Sequence, residues 1–260
     1  MSVRTALVEN NILSVRPLRL DRCESTKFFY GRMNEARDLL IEWAQGPRPR
    51  FHASLNANAL YWAHHDALFR QALREADLVT PDGDSILLMG KRLGFPVAQK
   101  IAGIELAESL LSVCRFRRWG VCFVGRRAPA LERLRHIVRQ RYPGLPVLIE
   151  QWRDGAGFAE QLGERIRGEN IRILLAGLPM PQQEIWLWRH RHILGAPLSM
   201  GIGGAFEVWA GLRRRAPLAW RQRKLEWLHR FLQEPWRRFG PMYRATFWLG
   251  AQLLSRRMVK

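Results

Sequence analysis

Trp119-Gly120-Val121-Cys122-Phe123-Val124 is an apolar run of strand length, and it opens the stretch that decides the fold. An amphipathic helical pattern, Pro129 to Arg141, follows it. Pro146 to Ile149 reads as a strand, Phe158 to Arg167 as a helix and Ile171 to Leu175 as a strand. Pro181 to Ile193 is again helical, and Pro197 to Ile202 closes the series as a strand. Strands alternating with helices of this length predict βαβ units and therefore a parallel sheet. The expected class is α/β, a Rossmann-like, mostly parallel sheet flanked by helices. In such sheets ligands bind beyond the carboxyl ends of the strands, so the loops that follow strands are the ones to search.

Upstream, Ile12 to Val15 and Phe51 to Leu55 read as strands, with Met33 to Trp43 a helix ended by Gly46-Pro47. Ala57 to Glu75 reads as one helix, and Leu78-Val79 as a brief strand before the turn signal Pro81-Asp82-Gly83. Ser85 to Leu93 and Gly103 to Phe116 are predicted helical. Downstream, the texture changes after Gly211: Arg213 to Pro217 reads as a linker, and Leu225 to Glu234 and Met242 to Met258 as helices. The organisation expected is a core over 1–212 and a basic, aromatic-rich helical appendage over 213–260.

Charge follows the same division. The chain of 260 residues carries 42 Lys and Arg against 23 Asp and Glu, a net charge of +19. The last 48 residues hold +11 of it. A field of this sign calls for an anionic partner: nucleic acid, a membrane surface or a phosphorylated ligand. Arginine dominates, which favours planar, bidentate contacts to oxyanions. The tail interleaves it with Trp220, Trp227, Phe231, Trp236, Phe239, Tyr243, Phe247 and Trp248. That composition suits either a membrane interface or a helical pair with its aromatics packed inward and its arginines solvated.

Several function classes are disfavoured. No run of about 18 apolar residues exists to make a membrane-spanning helix. The first residues lack the apolar region of a secretory signal. Cys23, Cys114 and Cys122 are too scattered for a disulfide framework or zinc cluster and fit a reducing cytoplasm. His64-His65 and His190/His192 diverge on their helices, so no metal site is expected. No Gly-x-Ser-x-Gly elbow is present. Gly201-Ile202-Gly203-Gly204-Ala205-Phe206 approaches a dinucleotide fingerprint, but Phe206 stands at its third glycine, which weakens a nicotinamide enzyme. A phosphate cradle of backbone N–H groups at Gly201, Gly203 and Gly204 stays open.

Asp82 sits in a strand-end loop beside Gly83, which permits close backbone approach. It serves there either as an Asx-turn residue or as a general base. Asp82-Gly83-Asp84 also spells Asp-x-Asp, a pair able to hold a divalent cation against a diphosphate. Gln183 and Glu184, at the start of a predicted helix, are read either as capping groups or as polar groups gripping a sugar.

Taken in order, the loop segments resemble the WecG/TagA/CpsF family of bacterial glycosyltransferases, glycosyltransferase family 26. The resemblance rests on Ser54-Leu55-Asn56, Ala76-Asp77-Leu78, Pro81-Asp82-Gly83, Ile101 to Leu106, Gly177 to Glu184 and Gly201 to Phe206. It continues through Arg215-Ala216-Pro217, Leu225 to Leu228 and Glu234 to Arg237. The likeness spans roughly residues 50–240. It implies an inverting, UDP-sugar-dependent hexosyltransferase acting on a polyprenyl-diphosphate-linked saccharide at the cytoplasmic face of the plasma membrane, in surface or exopolysaccharide synthesis. It makes Asp82 the general base, with Ser54 and Asn56 beside the reacting groups, and it implies no metal or other cofactor and no nucleic acid. Substrate contacts are expected from Gly83, Gly103, Gly125, Gln183, Glu184, Gly201, Gly203 and Gly204, and from tail arginines Arg214, Arg215 and Arg221. The tail is expected to dock on an anionic membrane surface. Against the family pattern, Ser54 replaces Thr, Pro179 a glycine, Gln182 a Lys and Glu207 an Asp. A basic nucleic-acid binder remains the alternative from another class, although no nucleic-acid motif is present.

Overall fold

The computed structural model describes residues 12–15, 26–87, 97–155, 157–223 and 225–254. One sheet organises them. Its strands are β1 (Ile12–Val15), β2 (Thr26–Phe29), β3 (Arg50–Leu55), β4 (Leu78–Pro81), β5 (Gly120–Gly125), β6 (Val147–Gln151), β7 (Ile171–Gly177) and β8 (Leu198–Gly201). Their spatial order is β1-β2-β4-β3-β8-β7-β5-β6. β1 runs antiparallel to β2 at one edge, and every other pairing is parallel. The α/β expectation holds, with the strand β2 added to those read from sequence.

Every residue of β5 is buried, because helices cover both faces of a parallel sheet. Cys122 and Val124 face one apolar cluster, Val121 and Phe123 the other. The first cluster takes in α2 (Ala57–His65), α3 (Ala67–Glu75), α6 (Phe158–Gly168) and α7 (Gln182–Leu194). The second takes in α1 (Met33–Gln45), α4 (Gly103–Arg117), α5 (Ala128–Arg141) and the short α8 (Ala205–Trp209). The helix expected over Ala57 to Glu75 breaks at Asp66. That residue is extended, at φ −125° and ψ 115°, and its carboxylate accepts from the N–H groups of Leu68 and Phe69. An Asp able to cap a new helix competes with continuation of the old one. A helical turn covers 84–87; the rest of the helix expected to Leu93 lies outside the described residues.

The tail departs from its reading as linker plus two helices. The 213–217 connection is tied to the core, because the N–H groups of Leu212 and Arg213 both donate to the Glu207 carbonyl and Ala216 is buried. α9 (Leu218–Gln222), α10 (Glu226–Gln233) and α11 (Pro235–Leu254) follow. α11 begins seven residues before the helix expected from Met242 and runs through Pro241. The helix docks on the core: Ala245 and Leu249 are buried, and Leu249 joins the core cluster that includes α2. Trp248 meets Tyr61 edge-on at 6.3 Å and His64 at 5.2 Å. Among the described residues no helix is long and apolar enough to cross a membrane.

Candidate active site

β3 and β4 lie side by side in parallel, with Ser54 opposite Thr80 and Leu55 opposite Pro81. Their carboxyl ends therefore deliver Asn56 and Asp82 to the same point. The Asp82 N–H donates to the Leu55 carbonyl at 2.8 Å, extending the ladder into the loop. Asn56 caps α2, its Oδ1 accepting from the Ala59 N–H at 3.0 Å, which leaves the amide nitrogen as the half able to donate. Gly83 adopts φ +104°, and a Cβ there would stand 3.9 Å from Asn56 Cβ. That left-handed turn is open to glycine without strain, and it brings the Asp82 loop against the start of α2.

Ser54 adjoins this point from below the loop. Its buried Oγ has no hydrogen-bond partner among the described residues, and a Cβ on Gly103 would lie 3.4 Å from it. Gly103 begins α4, whose N-cap Ala102 offers no side-chain cap, so the helix presents free N–H groups and its positive end here. The structure thus brings together Ser54, Asn56, Asp82, Gly83 and Gly103. Two neighbours were not singled out from sequence: His52 Nε2 lies 2.9 Å from Thr80 Oγ1, both fully buried, with Thr80 opposite Ser54 on the next strand. Burial pushes the His52 imidazole down to about 3, so it is neutral. The period-two placement of His52 and Ser54 along a strand was the available signal.

The glycines behind β5, β7 and β8 have packing duties. A Cβ on Gly125 or Gly177 would come within 3.0 or 2.5 Å of the Phe206 ring, so these two strand ends are small because Phe206 occupies the space. Phe206 is 2% exposed; the residue at the expected third glycine is a core side chain. Gly201 is crossed by Gln183, and Gly203 takes φ +53°. The loop's N–H groups turn inward: Ile202 donates to Ala176 O, Gly203 to Gln183 Oε1 and Ala205 to Ile202 O. This accounts for the glycines at 201 and 203 without an anion, since a phosphate cradle needs those donors outward. Gly204 is exposed and lies against Arg213 Nη1. Gln183 and Glu184 are 3% and 2% exposed, so neither presents a free polar head to a sugar.

Tail arginines reach the cluster through α4. Glu105, in its first turn, takes both Arg215 and Arg221 on Oε1, the latter at 2.9 Å. Arg215 and Arg221 each keep a buried Nε without a hydrogen-bond partner among the described residues. Arg213 pairs with Glu234 at 3.2 Å. Arg214 is held by its backbone, which exchanges two hydrogen bonds with the Gln233 amide, while its side chain is exposed. Lys100 bridges Asp84 at 3.2 Å and Glu226 at 3.6 Å. The second aspartate of Asp-x-Asp therefore faces an ammonium group. Among the described residues no group of three or more His, Cys, Asp or Glu could hold a metal ion.

A carboxylate, a hydroxyl, an amide and a helix N-terminus thus meet at paired strand ends, with guanidinium groups on one side. Such a set can accept a proton from a hydroxyl and stabilise a departing anion. N-acetylglucosaminyldiphosphoundecaprenol N-acetyl-beta-D-mannosaminyltransferases of Staphylococcus aureus strains MW2 and NCTC 8325 / PS 47 are each 25% identical to the chain over 214 residues. The match covers 81% of this chain and 82% of each relative. The model of the glycosyl transferase WecG/TagA/CpsF family matches residues 25–260, and the chain belongs to that family of glycosyltransferases.

Proposed function

We propose that the chain transfers a sugar, with inversion, from a UDP-sugar to a polyprenyl-diphosphate-linked saccharide in bacterial surface or exopolysaccharide synthesis. The observation that carries this reading is the juxtaposition of Asp82 and Asn56 at the paired ends of β3 and β4. Asp82 takes the proton from the acceptor hydroxyl as that oxygen attacks the anomeric carbon. A single displacement needs one base, and its transition state is oxocarbenium-like. Negative charge grows on the leaving diphosphate. In this reading Arg215 and Arg221, held beside the α4 N-terminus by Glu105, neutralise it, and no metal takes part. The relatives' names supply the acceptor class, a diphosphoundecaprenol-linked N-acetylglucosamine, and put N-acetylmannosamine first among donors.

The same reading places the protein at the cytoplasmic membrane surface. Among the described residues, six of the nine exposed large apolar ones fall between Leu218 and Phe247, led by Trp236 at 95% exposure. They lie within the segment that carries +11. Aromatic rings and basic charge together favour an anionic leaflet, at about 1 kcal/mol for each Lys or Arg near the surface. The test is a donor screen: purified protein, a synthetic lipid-diphosphate N-acetylglucosamine, and UDP-N-acetylmannosamine, UDP-glucose and UDP-N-acetylglucosamine in parallel. Release of UDP together with a product of inverted anomeric configuration is expected with one donor. Retained configuration would overturn the single-displacement mechanism. Failure of every UDP-sugar would overturn the donor class.

A further inference from the structure

Gln183 and Glu184 are charged or strongly polar residues in the first turn of α7, yet both are buried against a mainly apolar sheet face. Their hydrogen bonds run in a fixed sense. Gln183 Oε1 accepts from the N–H of Leu178 at 3.2 Å and from that of Gly203 at 2.9 Å. Leu178 follows β7 and Gly203 follows β8, so one amide oxygen ties two neighbouring strand-end loops. The Nε2 of the same amide then points the other way and donates to Glu184 Oε1 at 2.8 Å. The loop after β7 also meets the start of α2, where Asn58 Nδ2 lies 3.3 Å from Met180 Sδ.

We infer that Glu184 is a positioning residue for the transfer reaction: through Gln183 it holds in place the loops after β7 and β8, which stand next to β3 at the carboxyl ends of the parallel strands, where such sheets take their ligands. The inference rests on the transferase reading above. A glutamine amide has an accepting end and a donating end of nearly the same shape. If it turned over, its NH2 would face two backbone N–H groups. The acceptor at Glu184 fixes the sense, because it gives Nε2 a partner only when Oε1 faces Leu178 and Gly203. The Glu184 carboxyl carries a cost: Oε2 is buried with no hydrogen-bond partner among the described residues. A leucine would fill this place without that cost, so a role in holding the amide accounts for the carboxyl where packing does not. Burial pushes Glu184 up to about 7, and both of its protonation states can accept through Oε1.

The experiment compares the full chain with Glu184→Leu, Glu184→Gln, Gln183→Leu and the double leucine variant. Each is assayed for UDP-sugar transfer, for UDP affinity by calorimetry and for thermal unfolding. Glu184→Leu leaves Gln183 Nε2 unpaired and should melt lower, yet at temperatures where it is folded it should raise the donor KM about ten-fold or more, with a smaller change in kcat. Glu184→Gln keeps the acceptor and should bring KM back to within about three-fold of wild type. The double variant should be no worse than Gln183→Leu, since the two residues act in series. Wild-type KM and UDP affinity in Glu184→Leu would overturn the inference alone. Equal losses of melting temperature and activity in both Glu184 variants would also overturn it, by making the role merely structural. A wild-type chain that neither binds UDP nor transfers from any UDP-sugar would instead overturn the transferase reading and the inference with it.

Discussion

Gly201→Ala is the perturbation whose consequence can be worked out most directly. A Cβ built on Gly201 falls 2.2 Å from Gln183 Nε2, 2.8 Å from Cδ and 3.1 Å from Cγ. Three successive atoms are too close, so no rotation of the amide tip alone relieves the clash. Gln183 is 3% exposed and has to swing out of its place or lift the start of α7. In either case the N–H groups of Leu178 and Gly203 lose their shared acceptor. A buried donor left unpaired costs about 1–3 kcal/mol, so two cost about 2–6 kcal/mol. The gain in unfolded-state restriction from Gly to Ala returns only about 0.4–1 kcal/mol. Chemical denaturation should therefore show a loss of about 1–6 kcal/mol, accompanied by weaker UDP binding. Two controls isolate the cause. Gly204→Ala meets only side-chain ends, Arg213 Nη1 at 3.0 Å and Glu207 Oε2 at 3.6 Å, and should cost under about 1 kcal/mol. In a Gln183→Ala background the space is already vacated, so adding Gly201→Ala should cost little more. Wild-type stability in the Gly201→Ala single variant would refute the reasoning, because the amide would then not be held where its hydrogen bonds require.

Asp82→Asn should leave the fold intact, since the backbone bond to Leu55 persists. It should lower transfer by about 10²-fold or more, and near wild-type turnover would remove Asp82 as the base. Activity is expected to survive excess EDTA; loss of activity that manganese restores would make Asp84 a ligand in place of a partner for Lys100. Glu184 and His52 give the stability curve opposing slopes. Glu184 binds its proton more tightly folded than unfolded, so its contribution is lost as pH rises from the ordinary carboxylate range to about 7. His52 binds its proton less tightly folded, so its contribution is lost as pH falls from the ordinary imidazole range toward about 3. Glu184→Gln removes only the first slope; its unfolding free energy should gain on that of wild type as pH rises to about 8, and parallel curves would sink this. For the tail, the burial of Ala245 and Leu249 makes surface substitution cleaner than truncation. Trp236→Ser with Phe247→Ser should weaken binding to anionic liposomes about ten-fold or more, and unchanged sedimentation with liposomes would remove these rings from docking.

The sequence by itself determined the class of fold and pointed to the strand end at which the candidate site lies. Apolar runs at Trp119, Ile171 and Pro197, separated by helix-length amphipathic segments, leave a parallel sheet as the way to bury both. Pro81-Asp82-Gly83 announced a carboxylate at a strand end, because proline and glycine fix the turn whatever surrounds it. The basic tail was equally plain in composition. What a glycine or a buried polar residue is for was decided only by tertiary structure. The string Gly201 to Phe206 looks like an anion loop in one dimension. In three, Gln183 arrives from another helix, crosses Gly201 and takes the Gly203 N–H, while Phe206 fills the space above Gly125 and Gly177. Nothing local in the chain specifies those meetings, because they depend on which strands become neighbours. The same holds for Glu105, whose first-turn position is ordinary for a helix and whose grip on Arg215 and Arg221 spans more than a hundred residues. Spacing along the chain records periodicity and turn chemistry; which side chain occupies another's space is set by the order β4-β3-β8-β7-β5, and only the folded sheet contains that order.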